Sequence, residues 1–303
     1  MKRGELTGIA ATVLLAGALA ACGGGSSSAA RLHENGPIAY LTDGMEVFEL
    51  NEDGSGRHTL IPDALDFGIS PDGSKLAYVA NVLDPAIDDY VPRLFESDAN
   101  GKDKRKLAGE LALAAVSSHP DFSPDGKIIV FTAEGGGDTH IYSIHADGSA
   151  LKQLTTGSDG DPEYSPDGKQ IVFARFAPPT NEKSLQPLPF QLYLMNADGS
   201  DQHKLRAGSN PAWSPDGTQI AYDGLAAISV MNADGSDAHE LIELASEPAW
   251  SPDGKKIAYS AGQVGEPANG LYVLTLDGGK KTQLVHTGFG SVNGTAWEHK
   301  RGG

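Results

Sequence analysis

A chain of 303 residues with 39% hydrophobic content is long enough for a large core, and 38 Gly with 18 Pro make it dense in turns. The 40 Asp and Glu outweigh 23 Lys and Arg, and the net charge of -17 repels phosphate backbones and argues against a nucleic-acid partner. Cys22 is the single cysteine, which excludes an intramolecular disulfide framework, a cysteine-based zinc cluster and a Cys-x-x-Cys redox pair.

The first segment explains that cysteine. Lys2 and Arg3 precede an apolar, small-residue run over residues 9–21, the pattern of a secretory signal and too short for a comfortable membrane span. Leu19-Ala20-Ala21-Cys22 resembles a bacterial lipobox, which implies cleavage before Cys22 and a lipid on its thiol. Residues 1–21 are therefore expected as a lipoprotein signal peptide, and residues 22–36 as the lipidated cysteine with a flexible Gly/Ser tether.

Beyond the tether the chain repeats itself. Ser-Pro-Asp-Gly occurs at Ser70, Ser123, Ser165, Ser214 and Ser251, a period near that of propeller blades. An aromatic or apolar residue precedes each copy (Ile69, Phe122, Tyr164, Trp213, Trp250) and a β-rich apolar run follows it, so each copy is a hairpin turn between a first and a second strand. Pro suits the first turn position and Gly the positive-φ position after Asp. A third strand ending in Asp-Gly or Asn-Gly appears six times, at residues 47–54, 94–101, 141–148, 192–199, 228–235 and 271–278, and a short fourth strand follows each. Six third strands predict six blades. The first blade lacks a first strand, and Gly294-Thr295-Ala296-Trp297 near the C-terminus matches Asn210-Pro211-Ala212-Trp213. The expected fold is an all-β, six-bladed β-propeller over residues 37–298, its ring closed by the C-terminal strand completing the first blade, with residues 299–303 as a tail.

The Pro-x-Trp-Ser-Pro-Asp-Gly-x-x-Ile-Ala-Tyr wording of these repeats resembles the WD-like propeller repeat of the TolB-like family, over roughly residues 37 to 298. Similar repeats occur in TolB, in peptidase propeller domains and in pectin-degrading lyases, so the resemblance implies the fold and leaves the function open. Two departures matter. TolB proteins carry an α/β domain ahead of the propeller, whereas here only residues 23–36 separate Cys22 from the first strand. The peptidase relatives need a hydrolase domain with a nucleophile elbow, and this chain has no Gly-x-Ser-x-Gly.

Strand alternation sorts the loops onto two faces. Short turns fall on one face, and insertions at residues 81–92, 108–118, 176–190 and 263–269 fall on the other, where binding is expected. The start of each first strand reaches that elaborated face beside the central channel, and alignment of the repeats places Asp66, His119, Asp161, Asn210, Glu247 and Gly294 there together. Such a ring could hold a divalent cation, bind a peptide or glycan through water-filled polar contacts, or simply line a solvated funnel. The Asn196-x-Asp198-Gly199-Ser200-Asp201 stretch resembles the start of a calcium loop but lacks the distal Glu, and reads as turn chemistry. Trp213, Trp250 and Trp297 share one blade position, which points to packing between blades.

The functional expectation is a membrane-anchored, extracytoplasmic binding scaffold for an envelope protein or polysaccharide, monomeric, without cofactor or catalytic residues. The channel-mouth residues Asp66, His119, Asp161, Asn210 and Glu247 are its candidate site. The alternative is a metal-assisted lyase or lactonase, with Asp66, Asp161 and Glu247 as ligands and His119 as ligand or base.

Overall fold

The structure is a computed structural model that describes residues 35–107, 116–177, 190–262, 269–288 and 292–299. The expected lipidation site Cys22, the signal and tether through residue 34, and most of the insertions at 108–118, 176–190 and 263–269 lie outside the described residues.

Each repeat forms a four-stranded antiparallel sheet. Blade 1 contains β1 (Asn35–Thr42), β2 (Val47–Leu50) and β3 (His58–Ile61). Blade 2 is β4 (Ala64–Ile69), β5 (Lys75–Asp84), β6 (Asp89–Asp98) and β7 (Arg105–Lys106). Blade 3 is β8 (Val116–Phe122), β9 (Ile128–Gly135), β10 (Asp138–His145) and β11 (Lys152–Gln153). Blade 4 is β12 (Asp159–Tyr164), β13 (Gln170–Phe176), β14 (Phe190–Asn196) and β15 (His203–Ala207). Blade 5 is β16 (Ser209–Trp213), β17 (Gln219–Asp223), β18 (Ala227–Asn232) and β19 (His239–Glu243). Blade 6 is β20 (Ala245–Trp250), β21 (Lys256–Ala261), β22 (Asn269–Thr275) and β23 (Lys280–Gly288).

The last strand, β24 (Val292–His299), pairs with β1, with Trp297 opposite Ile38 and Gly294 opposite Leu41. It is the inner strand of blade 1, so the ring closes as the repeat count predicts. First strands pack in sequence around the axis, β4 on β8, β8 on β12 and onward until β24 meets β4.

Six clusters of buried side chains hold the blades together, one at each blade-to-blade interface. Between blades 2 and 3, for example, Val79 and Leu94 pack with Phe122, Ile129 and Phe131. A strand covered on both faces has no need of polar alternation, which is why the second strands read as continuous apolar runs. Trp213 and Trp250 sit in the blade 4–5 and blade 5–6 interfaces, and Trp297 in the blade 6–1 interface. The Trp250 indole donates to the Ala212 carbonyl of the preceding blade at 3.1 Å.

The Ser-Pro-Asp-Gly turns explain their own sequence. In each, the serine hydroxyl donates to the Asp carboxylate two residues on, at 2.6–2.8 Å, and the glycine takes a left-handed φ of 66° to 71°. These bonds hold the carboxyls of Asp72 and Asp125 below the ordinary range, and the Lys169 ammonium, with the Ser165 hydroxyl, brings Asp167 down to about 2. The Asn196 turn is built alike, with Ser200 donating both N–H and O–H to Asp198, so the calcium-loop wording is turn chemistry.

Candidate channel site

The five residues aligned by repeat do converge. Every first strand carries a bulge against its second strand near its start, and the bulge turns one side chain toward the axis. At that position His119, Asp161, Asn210 and Glu247 adopt left-handed φ values of 54°, 52°, 46° and 56°. Such backbone costs about 1–2 kcal/mol per non-glycine residue, and here neighbouring blades hold it in place.

The holding contacts run from blade to blade. Asp66 Oδ2 accepts the His119 backbone N–H at 2.9 Å, and Asp161 Oδ2 accepts that of Asn210 at 3.2 Å. Between these links His119 Nδ1 lies 3.1 Å from Asp161 Oδ1 and 3.6 Å from Asp66 Oδ2. The Asn210 amide donates to Asp223 Oδ2 at 2.8 Å and to Glu247 Oε1 at 3.1 Å, while Asp223 Oδ1 accepts the Glu247 N–H at 3.1 Å. Thr295 extends the chain of contacts to blade 1, its hydroxyl donating to the Glu247 carbonyl at 2.5 Å. Gly294, the sixth aligned position, brings no side chain.

Charge follows from this crowding. Burial pulls the His119 imidazole down, but Asp161, Asp66 and Glu247 together outweigh it and push the pKa up to about 9. Its side chain is nonetheless 35% exposed, because the channel brings solvent to a position deep within the ring. Burial pushes the Glu247 carboxyl up to about 8, opposed by His119 and reinforced by Asp223, Asp66 and Asp161. Burial likewise raises Asp223 to about 7 against its hydrogen bonds from Asn210 and Glu247. At neutral pH the ring therefore holds an imidazolium beside shared protons, and it offers a ligand hydrogen bonds of both kinds.

From the ring a cavity of about 480 Å³ runs along the first strands to Pro71, Pro124, Pro166, Pro215 and Pro252 of the opposite turns. Its wall holds two acids that the repeat alignment did not single out, Asp121 and Glu163, two residues after ring positions. Asp121 Oδ2 accepts the Tyr164 N–H at 2.8 Å, and Glu163 Oε2 accepts the Trp213 N–H at 2.9 Å, so each ties its blade to the next. Blades 2, 5, 6 and 1 carry Gly68, Ala212, Ala249 and Ala296 at that position. Asp223 is similarly an outlier, standing where other second strands have Val79, Thr132, Ala174 and Ser260. A charge breaking an otherwise small or apolar repeat column is the signal that finds all three.

Among the described residues no three His, Cys, Asp or Glu side chains stand where they could jointly hold a metal ion. The ring carboxylates are engaged by backbone N–H groups, Asn210 and His119. Among the described residues no helix is long and apolar enough to cross a membrane.

No protein-family profile matches the chain. An uncharacterized protein of Agrobacterium fabrum is 30% identical over 175 residues, which cover 51% of this chain and 53% of that protein. The chain thus spans about half the length of this curated relative. Among solved structures, TolB from Acinetobacter baumannii superposes with a TM-score of 0.70 at 22% identity, over 86% of this chain and 66% of that one. A putative TolB from Agrobacterium tumefaciens gives 0.63 at 17%, over 86% and 97% of the two chains. An oligogalacturonate lyase in complex with manganese gives 0.54 at 18%, over 79% and 74%. At these identities the likeness is one of fold: the chain is a six-bladed propeller similar to those of TolB proteins.

Proposed function

We propose that this chain is a non-catalytic binding scaffold, held outside the cytoplasmic membrane by a lipid on Cys22, whose contact surface for an envelope protein or polysaccharide is the face carrying the channel ring. One observation carries the reading. Among the described residues the exposed large hydrophobic side chains are Met45, Leu83, Ile87, Tyr90, Phe176, Phe190, Leu225 and Leu244, and all eight stand on, or on the strand ends flanking, connections between second and third strands or between blades. Those connections share one face. The Ser-Pro-Asp-Gly turns of the opposite face bond their own Asp side chains, and large apolar side chains exposed on one side of a rigid body mark that side as the contact surface.

The lyase or lactonase reading draws on the manganese-bound propeller among the structural neighbours. On this chain that reading would use Asp66, Asp161 and Glu247 as ligands and His119 as ligand or base; the exposed apolar side chains of the same face favour the scaffold over it.

Photocrosslinking in envelope preparations tests the scaffold reading. Crosslinkers replacing Leu225 and Leu244 should give discrete adducts, and crosslinkers replacing Lys127 and Lys169 on the turn face should give none. Equal adducts from both faces, or adducts from the turn face alone, would sink it.

A further inference from the structure

The β5–β6 hairpin differs from the rest of the loop face. Both of its strands run 10 residues, against 5 and 6 for the corresponding β17 and β18. The last pairing of β4 with β5 is Ala64 with Ala80, and on the other side bonding ends where Leu107 donates to the Leu94 carbonyl. From residue 81 to residue 92 the two strands are therefore paired only with each other among the described residues. The insertion expected as a loop is a projecting ribbon.

Leu83 lies directly across from Tyr90, and Asp84 directly across from Asp89. Because side chains alternate along a strand, the tip of the ribbon carries Leu83 and Tyr90 on one side and Asp84 and Asp89 on the other, while nearer the body Val82 and the buried Val91 share the side of the two aspartates. Leu83, Ile87 and Tyr90 are 50%, 63% and 64% exposed. Facing carboxylates disfavour a strand pair, and the compensation is slight: Arg93 reaches Asp84 only at 3.9 Å, while Asp88 adds a further charge at the turn. The two edges also differ. Pro92 removes an N–H from the β6 edge, a common block to strand addition, whereas residues 81–84 of β5 carry no proline.

We propose that this ribbon docks an extended segment of a partner protein in which Lys or Arg alternates with aliphatic or aromatic residues, added as a strand along residues 81–84 of β5. The proposal rests on the scaffold reading and names its partner's chemistry. A strand added there lies beside β5, so its side chains pack alternately against Leu83 on one side and Asp84 on the other, with Tyr90 and Asp89 one strand further away. A second copy of this chain is the wrong occupant, since it brings another net charge of -17 and the same acidic pair. An anionic lipid surface is repelled for the same reason.

Fluorescence anisotropy on the full chain tests this with three labelled peptides: Lys alternating with Val, the same residues as a Lys block followed by a Val block, and Glu alternating with Val. The alternating Lys–Val peptide should bind and slow amide exchange at Asn81 and Leu83, whose N–H groups face the free edge, and the Glu–Val peptide should not bind. The pair Leu83→Ser and Tyr90→Ser, and separately the pair Asp84→Asn and Asp89→Asn, should each weaken binding about tenfold. These positions are on an exposed ribbon, so the variants fold. Equal affinity for the block peptide, or unchanged affinity in both double variants, overturns the proposal, because bulk attraction to an acidic chain then accounts for the binding. If crosslinks from Leu225 and Leu244 persist in that event, the scaffold reading stands and only the ribbon's role falls; if they too are absent, both fall.

Discussion

His119 Nδ1 stands 3.1 Å from Asp161 Oδ1 while the backbone N–H of the same histidine is bonded to Asp66, so one residue of blade 3 binds blades 2 and 4 together. Replacing it by Asn keeps a residue tolerant of left-handed backbone and removes the cation. The loss should be about 1–2 kcal/mol, below that of a fully buried pair because solvent reaches the ring. Denaturant unfolding of His119→Asn, Asp161→Asn and the double variant should show coupling of about 1 kcal/mol. Strict additivity would mean that the contact contributes nothing.

The ring also sets a pH dependence. His119 is raised from 6.5 to about 9, so its contribution is complete below the unfolded value and is lost as pH rises through 9. Glu247 and Asp223 are raised from 4.5 and 3.8 to about 8 and 7; their protonated forms favour the folded state, and that contribution too fades as pH rises. Asp72, Asp125 and Asp167 in the turns are lowered, so their contribution is present above the unfolded value and is lost as pH falls toward their folded values. Melting temperature should therefore peak in mild acid, at about pH 5, and decline toward pH 9. In His119→Asn the decline between pH 6.5 and 9 should be shallower. A wild-type melt higher at pH 9 than at pH 5 would contradict this.

Two glycines with different reasons to be glycine separate packing from backbone conformation. A Cβ on Gly68 would lie 1.9 Å from the Pro120 carbonyl oxygen, while one on Gly126 meets nothing within 4 Å but sits at φ 70°. Gly68→Ala should cost about 3 kcal/mol or more by forcing blades 2 and 3 apart, and Gly126→Ala about 1 kcal/mol. Urea titrations of the two variants check the order, and the reverse order would refute it.

The architecture was legible because its determinants are local and repeated. Ser-Pro-Asp-Gly is a turn wherever it occurs, and matching Gly294-Thr295-Ala296-Trp297 to Asn210-Pro211-Ala212-Trp213 was enough to close the ring. The same alignment brought Asp66, His119, Asp161, Asn210 and Glu247 together. It did not supply what they bond to, because a bulge that inverts φ and an acceptor such as Asp223 on another strand depend on contacts between blades. Nor could residues 81–92 be recognised as paired strands, since Pro85, Pro92 and three aspartates favour a loop until the register sets Leu83 against Tyr90.

Asp121 and Glu163 supply the last prediction, because each accepts a backbone N–H of the next blade and both stand half-buried in the channel wall. Burial pushes Asp121 up to about 7, and burial together with the Asp121 charge raises Glu163 well above its ordinary value. Asp121 accepts the N–H groups of Tyr164 and Phe122, and Glu163 accepts that of Trp213; an amide oxygen at position 121 can keep the Tyr164 bond between blades without carrying charge. Asp121→Asn should therefore be neutral or stabilising by up to about 1 kcal/mol at pH 8, and should lose that advantage at pH 5, where the native carboxyl holds its proton. Asp121→Ala should instead cost about 1–3 kcal/mol at both pH values, since it orphans the Tyr164 N–H. Chemical denaturation of both variants at the two pH values decides the matter: if Asp121→Asn proves more destabilising at pH 8 than at pH 5, a charged carboxylate is what joins blades 3 and 4, and Asp121 is not raised in the way described.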